Sequence, residues 1–266
     1  MKVERSAFVC PICKNALFRV NNSLRCYFGH SFDLAKQGYV NLLMKNSSGK
    51  RHGDDKLMVL ARKNFLDKGY YAPLRDTVSR IVGKGHFVLD SGCGEGYYTS
   101  AFAEDNTVCG IDISKDAVQY AANRCKTAEF AVASIADIPL PDASCDTVVC
   151  IFAPESIEEF SRILKPNGRM ITVSPMEKHL LELKQAIYDD AYLNPAVTFD
   201  REYFELVEAT ELKYRITLDT SEDIKALFMM TPYYYKTAAS DQQKLERIEK
   251  LTTSLEFVVA EYKKQV

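Results

Sequence analysis

No stretch of this sequence approaches the roughly 18 consecutive apolar residues that a helical membrane span requires. The opening residues, Met1-Lys2-Val3-Glu4-Arg5, also lack the apolar run of a signal peptide, so a cytoplasmic chain with no membrane attachment is expected. Internal repeats and heptads are missing, which argues against a solenoid or a coiled coil. A disulfide framework is missing as well. Three of the eight cysteines stand at metal-ligand spacing, and Cys93, Cys109, Cys125, Cys145 and Cys150 fall singly within expected strands, helices or loops, which fits reduced thiols.

The remaining composition is that of a globular chain, 47% apolar and 26% charged, long enough for one medium domain and a small appendage. A net charge of only −2 hides an asymmetry: residues 1–90 carry 16 Lys/Arg against 7 Asp/Glu, and the rest of the chain is acidic. A basic front joined to an acidic body points to an acidic partner for the front, with nucleic acid first in line.

Residues 10–30 read CPICKNALFRVNNSLRCYFGH. Cys10 and Cys13 form one knuckle and Cys26 and His30 a second, and two such knuckles can supply four donors to one tetrahedral zinc ion. About forty residues bury too little surface to fold unaided, whereas structural zinc supplies an apparent 10–16 kcal/mol, roughly. Four protein ligands close the coordination sphere, so the ion is expected to be structural. Around it, Lys14, Arg19, Arg25 and Lys36 with Tyr27, Phe28 and Tyr39 could form an RNA platform, or the aromatics could form the module's small core.

The expected organisation is a zinc-binding domain over 1–43, a polar linker over 44–56 and a larger domain over 57–266. Helices are expected over 57–69 and from Pro73. An alternation follows, with strands at 86–90, 107–113, 129–133, 147–152 and 169–174 and helices from Tyr97, from Lys115 and over 154–165. Short apolar strands separated by helices indicate a doubly wound, mostly parallel α/β sheet. The C-terminal third is mixed, with a helix expected over 240–255 and a strand over 256–263.

Asp90 ends the first of these strands, and Gly92, Gly94 and Gly96 follow before a helix. Glycines allow a tight strand-to-helix turn and a close approach of ligand to bare backbone. The third glycine comes one residue too early for a dinucleotide fingerprint, where position 97 is Tyr97. Asp112 ends the next strand, 22 residues beyond Asp90, where a carboxylate can accept both hydroxyls of a ribose. The pattern resembles the first motif of class I S-adenosylmethionine-dependent methyltransferases. The acidic neighbours suit that cofactor's cationic sulfonium: one carboxylate contact at about 4 Å is worth about 4 kcal/mol before desolvation. The segment VASIADIPLPDAS and the later LKPNGRM fit the same pattern, with Ser134 where a carboxylate is commoner.

Joined to the zinc module, these motifs with GHSFDLAKQGYVNLL, PMEKHLLELK and MMTP resemble the bacterial 23S rRNA guanine-N1 methyltransferases over about Cys10 to Tyr235. The resemblance implies a Rossmann-like domain with a seven-stranded, mostly parallel sheet. It also implies zinc on Cys10, Cys13, Cys26 and His30, and methyl transfer from S-adenosylmethionine to a guanine in a 23S rRNA hairpin. Two copies clasping one RNA with paired zinc modules, a homodimer, is a further implication. It assigns Tyr71, Gly94, Glu95 and His179 to the cofactor. On the residues alone, Tyr71 reads as a helix cap and His179 as an exposed residue in a first helical turn. The spacing identifies no catalytic base. A small-molecule methyltransferase with an accessory zinc knuckle and a catalytically silent RNA-binding protein are the competing readings; Tyr233, Tyr234 and Tyr235 are candidates for stacking on a splayed base.

Overall fold

In the computed structural model, which describes residues 4–44 and 53–265, two sheets share one molecule. The first is a four-stranded antiparallel sheet of β1 (Glu4–Val9), β2 (Ala16–Val20), β3 (Ser23–Arg25) and β4 (Ser31–Asp33), in that order. The chain then adds β5 (Val40–Asn41) to the edge of the large sheet, parallel to β8 (Glu129–Val132). The segment expected to close the zinc module thus belongs equally to the main body. Most of the expected linker, residues 45–52, lies outside the described residues.

The large sheet contains β6 (Phe87–Ser91), β7 (Thr107–Asp112), β9 (Cys145–Ile151), β10 (Leu164–Pro175), β11 (Phe204–Leu218) and β12 (Leu251–Lys264). Its order is β11-β12-β10-β9-β6-β7-β8-β5. The expected seven strands are present, with β5 as an added eighth, and only β12 runs antiparallel to its neighbours. The sheet is covered on both faces because its strands are apolar on both. Val88, Val149 and Ile171 enter one core, while the adjacent Leu89, Val148 and Met170 enter the other, as the two-residue period of a strand requires.

Helices α1 (Lys56–Asp67), α2 (Ala72–Val82), α3 (Thr99–Phe102), α4 (Lys115–Arg124), α5 (Ile157–Ile163), α6 (Leu181–Ile187) and α7 (Ser221–Met229) connect and flank the strands. Local chemistry sets several starts: Asp55 accepts from the Met58 N–H, and Ser114 from the Ala117 N–H, each satisfying an orphan donor of a first turn. The helix expected from Tyr97 is only the short α3, because Tyr97 and Tyr98 are still part of the turn that leaves the glycine loop.

The C-terminal reading needs correction. Between 239 and 255 only Ala239–Gln242 and a 3-10 stretch, Gln243–Arg247, are helical, and Leu251 to Leu255 already lie in β12. Thr252 and Thr253 are β-branched, and Leu251–Leu255 pair residue by residue with Leu218 to Tyr214 of β11, so pairing with that strand overrides the helical pattern of the preceding residues. Strand β11, whose outward face is largely charged and exposed, offers no apolar run from which to infer it.

The zinc module is docked. Ser6 Oγ donates to Glu129 Oε2 at 2.5 Å, the Val9 N–H to the Pro139 carbonyl at 2.9 Å, and Lys14 pairs with Asp137 at 2.5 Å. Phe8, Leu17 and Leu24 join one continuous core with Val40, Ile138 and Leu140. The two modules are therefore held by shared apolar burial as well as by surface polar contacts.

Candidate active site and metal centre

The metal centre is built from two tight turns. Lys14 N–H donates to the Cys10 carbonyl, and Cys26 N–H to the His30 carbonyl, which folds each ligand pair back on itself. Each knuckle includes a residue of positive φ, Lys14 at 56° and Gly29 at 85°. The donor atoms converge: Cys10 Sγ to His30 Nδ1 is 3.5 Å, Cys26 Sγ to His30 Nδ1 3.3 Å, and Cys13 Sγ to Cys26 Sγ 3.6 Å. All four lie within 4.8 Å of one another. Zinc bonds of about 2.3 Å to sulfur and 2.0–2.1 Å to nitrogen give tetrahedral edges of about 3.5–3.8 Å, close to these three distances, so the donor set suits zinc. None of the eight cysteines is paired in a disulfide.

Of the aromatics near the metal, Tyr27 (87% exposed) and Phe28 (65% exposed) lie on the surface, their rings edge to face at 5.6 Å. They do not form a small core. Tyr39 does the opposite and is buried in the main core, so it is removed from the platform. Lys14, Arg19, Arg25 and Lys36 are all exposed.

The second site is a cavity of about 910 Å³ at the carboxyl ends of β6, β7 and β9, where open α/β sheets bind their ligands. Tyr71, Asp90, Gly92, Gly94, Glu95, Asp112, Ser134 and His179 all line it. Gly96 does not. It has φ 82°, and a Cβ there would lie 3.0 Å from Ala121 Cα, so its smallness serves the packing of α4 against the loop. At Gly92, with φ 77°, a Cβ would fall 2.5 Å from the Cβ of Ala153.

Three carboxylates line the cofactor half: Asp90 and Glu95 are buried and Asp112 is half-buried. Asp90 accepts from the Thr99 hydroxyl at 2.5 Å, and burial, assisted by the charges of Asp112 and Glu95, pushes its pKa up to about 7. Burial also raises Asp112 and Glu95. Asp112 accepts the Gly94 N–H at 3.0 Å through one oxygen and the Ser114 N–H at 2.8 Å through the other, which leaves further lone pairs on both oxygens. The Tyr98 hydroxyl is buried without a hydrogen-bond partner among the described residues, and so is Glu95 Oε1, whose one charged neighbour on that side is Arg124 Nη2 at 3.7 Å. Orphaned polar atoms beside a glycine cradle indicate a ligand that completes them. A cavity lined by three carboxylates, two of them buried, selects a cation, which fits S-adenosylmethionine.

Tyr71 takes its plainer reading only in part, and His179 does not take it. Tyr71 stands at the N-cap of α2, its carbonyl accepting the Arg75 N–H, but its side chain makes no capping bond; the ring is buried against Phe65 and Phe257, with ring centroids at 5.7 and 5.2 Å. His179 is buried, its Nδ1 accepts the Glu256 N–H at 3.3 Å, and burial followed by the nearby Lys184 lowers its pKa to about 3. It is a neutral imidazole with its hydrogen on Nε2. Ser134 Oγ accepts the Ala136 N–H at 3.2 Å and so shapes the turn that reaches the cavity.

Other lining residues carry weaker sequence signals. Arg62 of α1 pairs with Asp54 at 2.5 Å over the glycine loop, and both border the cavity. Asp54 falls in the polar stretch read as a linker, and only folding brings it here. Phe152, Ala153 and Pro154 form the opposite wall with Pro232, Tyr233 and Tyr235. Phe152 holds φ 54°, a left-handed conformation costly for a bulky residue, in the turn that leaves β9.

Such a sheet order, glycine loop and acidic cavity, joined to a four-ligand zinc ribbon, define a class I S-adenosylmethionine-dependent methyltransferase with an N-terminal zinc-binding module. Residues 83–254 match the family described as "Methyltransferase domain", and residues 8–47 match "RlmA, N-terminal", a zinc ribbon. A Bacillus subtilis (strain 168) protein named "Putative 23S rRNA (guanine-N(1)-)-methyltransferase YxjB" is 35% identical over 253 residues, covering 86% of this chain and 87% of that one. The 23S rRNA (guanine(748)-N(1))-methyltransferase of Streptomyces fradiae is 39% identical over 188 residues, 67% of this chain and 66% of that one. This chain belongs to the 23S rRNA (guanine-N1)-methyltransferase family. At the level of fold, the crystal structure of YcgJ from Bacillus subtilis matches with a TM-score of 0.51 at 16% identity, over 72% of this chain and 98% of that one.

Proposed function

We propose that this protein transfers a methyl group from S-adenosylmethionine to N1 of a guanine in a 23S rRNA hairpin. One observation carries the reading: an acidic, glycine-cradled cavity is fixed, through a shared core, to a zinc ribbon with a basic surface and two exposed aromatic rings. A small metabolite would need no such surface. Exposed rings beside arginines suit unpaired bases and phosphates.

When bound, the donor supplies an electrophilic methyl on a cationic sulfur. Asp112, with lone pairs left over from its two backbone donors, holds the ribose hydroxyls; Asp90 and Glu95 set a negative potential around the cation; Ser134 borders the adenine end. The neutral Nε2–H of His179 and the aromatic face of Tyr71 close the cavity toward the acceptor. These groups hold the reacting atoms at near-attack distance and exclude water, the main demand of an in-line displacement. N1 of guanine carries a proton in neutral water, so it must leave before or during transfer. Tyr233 and Tyr235, on the acceptor wall, stack on the extruded base or its neighbour.

Among the described residues no helix is long and apolar enough to cross a membrane; a cytoplasmic site of action follows from the proposed ribosomal RNA substrate. Pairing of two copies on one RNA would present two zinc ribbons to it. The test is incubation of the purified protein with labelled S-adenosylmethionine and unmodified 23S rRNA, followed by nuclease digestion and mass mapping. One guanine should gain the mass of a methylene, and the Asp90→Ala variant should not produce it. No labelled RNA, or label transferred only to small metabolites, would overturn the proposal.

A further inference from the structure

Lys184 is the one charged side chain of α6 that is fully buried, and the methyl-transfer chemistry described above makes no use of it. Its Nζ donates to Asn194 Oδ1 at 2.6 Å and to the Tyr192 carbonyl at 3.1 Å, and lies 4.6 and 5.0 Å from the ring centroids of Tyr192 and Tyr233. Burial lowers the Lys184 pKa, but every one of these neighbours is an acceptor or a π face, the surroundings an ammonium requires, and no donor is directed at it, as a neutral amine would need. No carboxylate pairs with it among the described residues. Glu182, on the same helix, turns instead to Thr253 and Ser254, and Asp189 is taken by Lys244. The other titratable neighbours, His179, Tyr192 and Tyr233, are uncharged at neutral pH, and Tyr188 packs against Tyr192.

This ammonium stands directly behind the acceptor wall. Asn194 Oδ1 also accepts the Tyr233 hydroxyl at 3.0 Å, and its Nδ2 donates to the carbonyl of Met176 at 2.8 Å and more weakly to that of His179 at 3.4 Å. Tyr233 and His179 both line the cavity. The cavity is thus polarised: two buried carboxylates and the half-buried Asp112 at the cofactor end, and a cation with no carboxylate partner one side chain behind the acceptor end. Such a field favours an anionic acceptor.

We propose that Lys184 is a positioning residue that fixes Tyr233 through Asn194 and whose unpaired charge makes the bound guanine more acidic at N1. The inference rests on the reading of the acceptor given above. The N1 proton passes to solvent, the resulting N1 electron pair forms the new N–C bond, and the S–C bond breaks with its pair staying on sulfur. Lys184 touches neither reacting atom.

The test is a single-turnover pH–rate profile on the rRNA hairpin, from pH 6 to 9.5, for the wild type, Lys184→Met, Lys184→Arg and Asn194→Asp. Wild-type rate should rise with pH and level off. In Lys184→Met the rising limb should move up by about one unit, a roughly tenfold loss at pH 7 that recovers by pH 9.5. Lys184→Arg should restore the wild-type limb. Asn194→Asp keeps the cation and pairs it with a carboxylate, so it should move the limb in the same direction as Lys184→Met and decides the matter if the latter does not fold. A loss that is equal at every pH, or unmoved limbs in Lys184→Met and Asn194→Asp, would overturn the inference. Absence of methylation by the wild type would instead count against the assigned acceptor.

Discussion

The carboxylate of Asp112 accepts the backbone N–H of Gly94 at 3.0 Å, so the end of β7 fixes the shape of the glycine loop that leaves β6. The same carboxylate is a ribose acceptor in the proposed complex, which couples loop geometry to cofactor binding.

Asp112→Ala should therefore lose more than a ribose contact. It frees two backbone donors, those of Gly94 and Ser114, and hydrogen bonds to charged groups are worth about 1.5–3 kcal/mol each. Affinity for S-adenosylmethionine, read by calorimetry, should fall by about a hundredfold or more. Asp112→Asn keeps one acceptor oxygen and should fall between. Equal affinity of Asp112→Ala and wild type would remove Asp112 from the site.

The glycines should not be equivalent. A Cβ at Gly92 meets Ala153 at 2.5 Å, whereas at Gly94 the nearest atom is Arg62 Nη1 at 3.9 Å. Both hold positive φ, which costs an L side chain about 1–2 kcal/mol. Gly92→Ala should lower the melting temperature clearly more than Gly94→Ala, with the difference measured by calorimetry on the protein without cofactor.

Asp90 gives an unusual pH signature. Its folded pKa, about 7, lies above its ordinary value of 3.8, so between these the folded chain holds a proton the unfolded chain has released. The stability this group contributes is complete below about pH 4 and is lost as pH rises through about 7. Asp90→Asn removes that loss. Without cofactor, at pH 8, it should be more stable than wild type, by on the order of a few kcal/mol, while binding the cationic cofactor more weakly. Thermal melts at pH 5 and pH 8 check the sign: the gain must shrink at pH 5.

The exposed pair on the zinc ribbon should matter to RNA alone. Replacing Tyr27 and Phe28 by Ala removes surface rings at little cost in stability, whereas stacking on a base is worth about 1–3 kcal/mol. Hairpin affinity should drop by roughly ten- to a hundredfold for the pair, with melting temperature and cofactor affinity unchanged. Chelating the zinc should act on both, because Phe8, Leu17 and Leu24 belong to a core shared with the catalytic domain. A chelated protein that melts like the holo form would contradict that shared core.

Much of this site was legible in order along the chain. Paired ligand spacing at Cys10, Cys13, Cys26 and His30, and the acid–glycine–acid sequence of Asp90, Gly92, Gly94 and Asp112, are local patterns, and each is positioned by one turn or one strand end. Tyr71 and His179 carried no such pattern; their burial follows from packing against Phe257, nearly 190 and 80 residues away in sequence. Strand β11 and the start of β12 were hidden because their pairing partners, and not their own composition, make them strands.

The sequence by itself determined the two modules, the four donors for a metal, the doubly wound sheet and the acidic glycine loop, because spacing and period are set by backbone geometry over a few residues. Only the tertiary structure decided that β5 ties the ribbon to the large sheet, that Tyr39 is core while Tyr27 and Phe28 face outward, and that Asp54, Arg62 and Tyr233 border one cavity. Those outcomes depend on which distant surfaces exclude water together, and burial shared between segments far apart in the chain leaves no local signature.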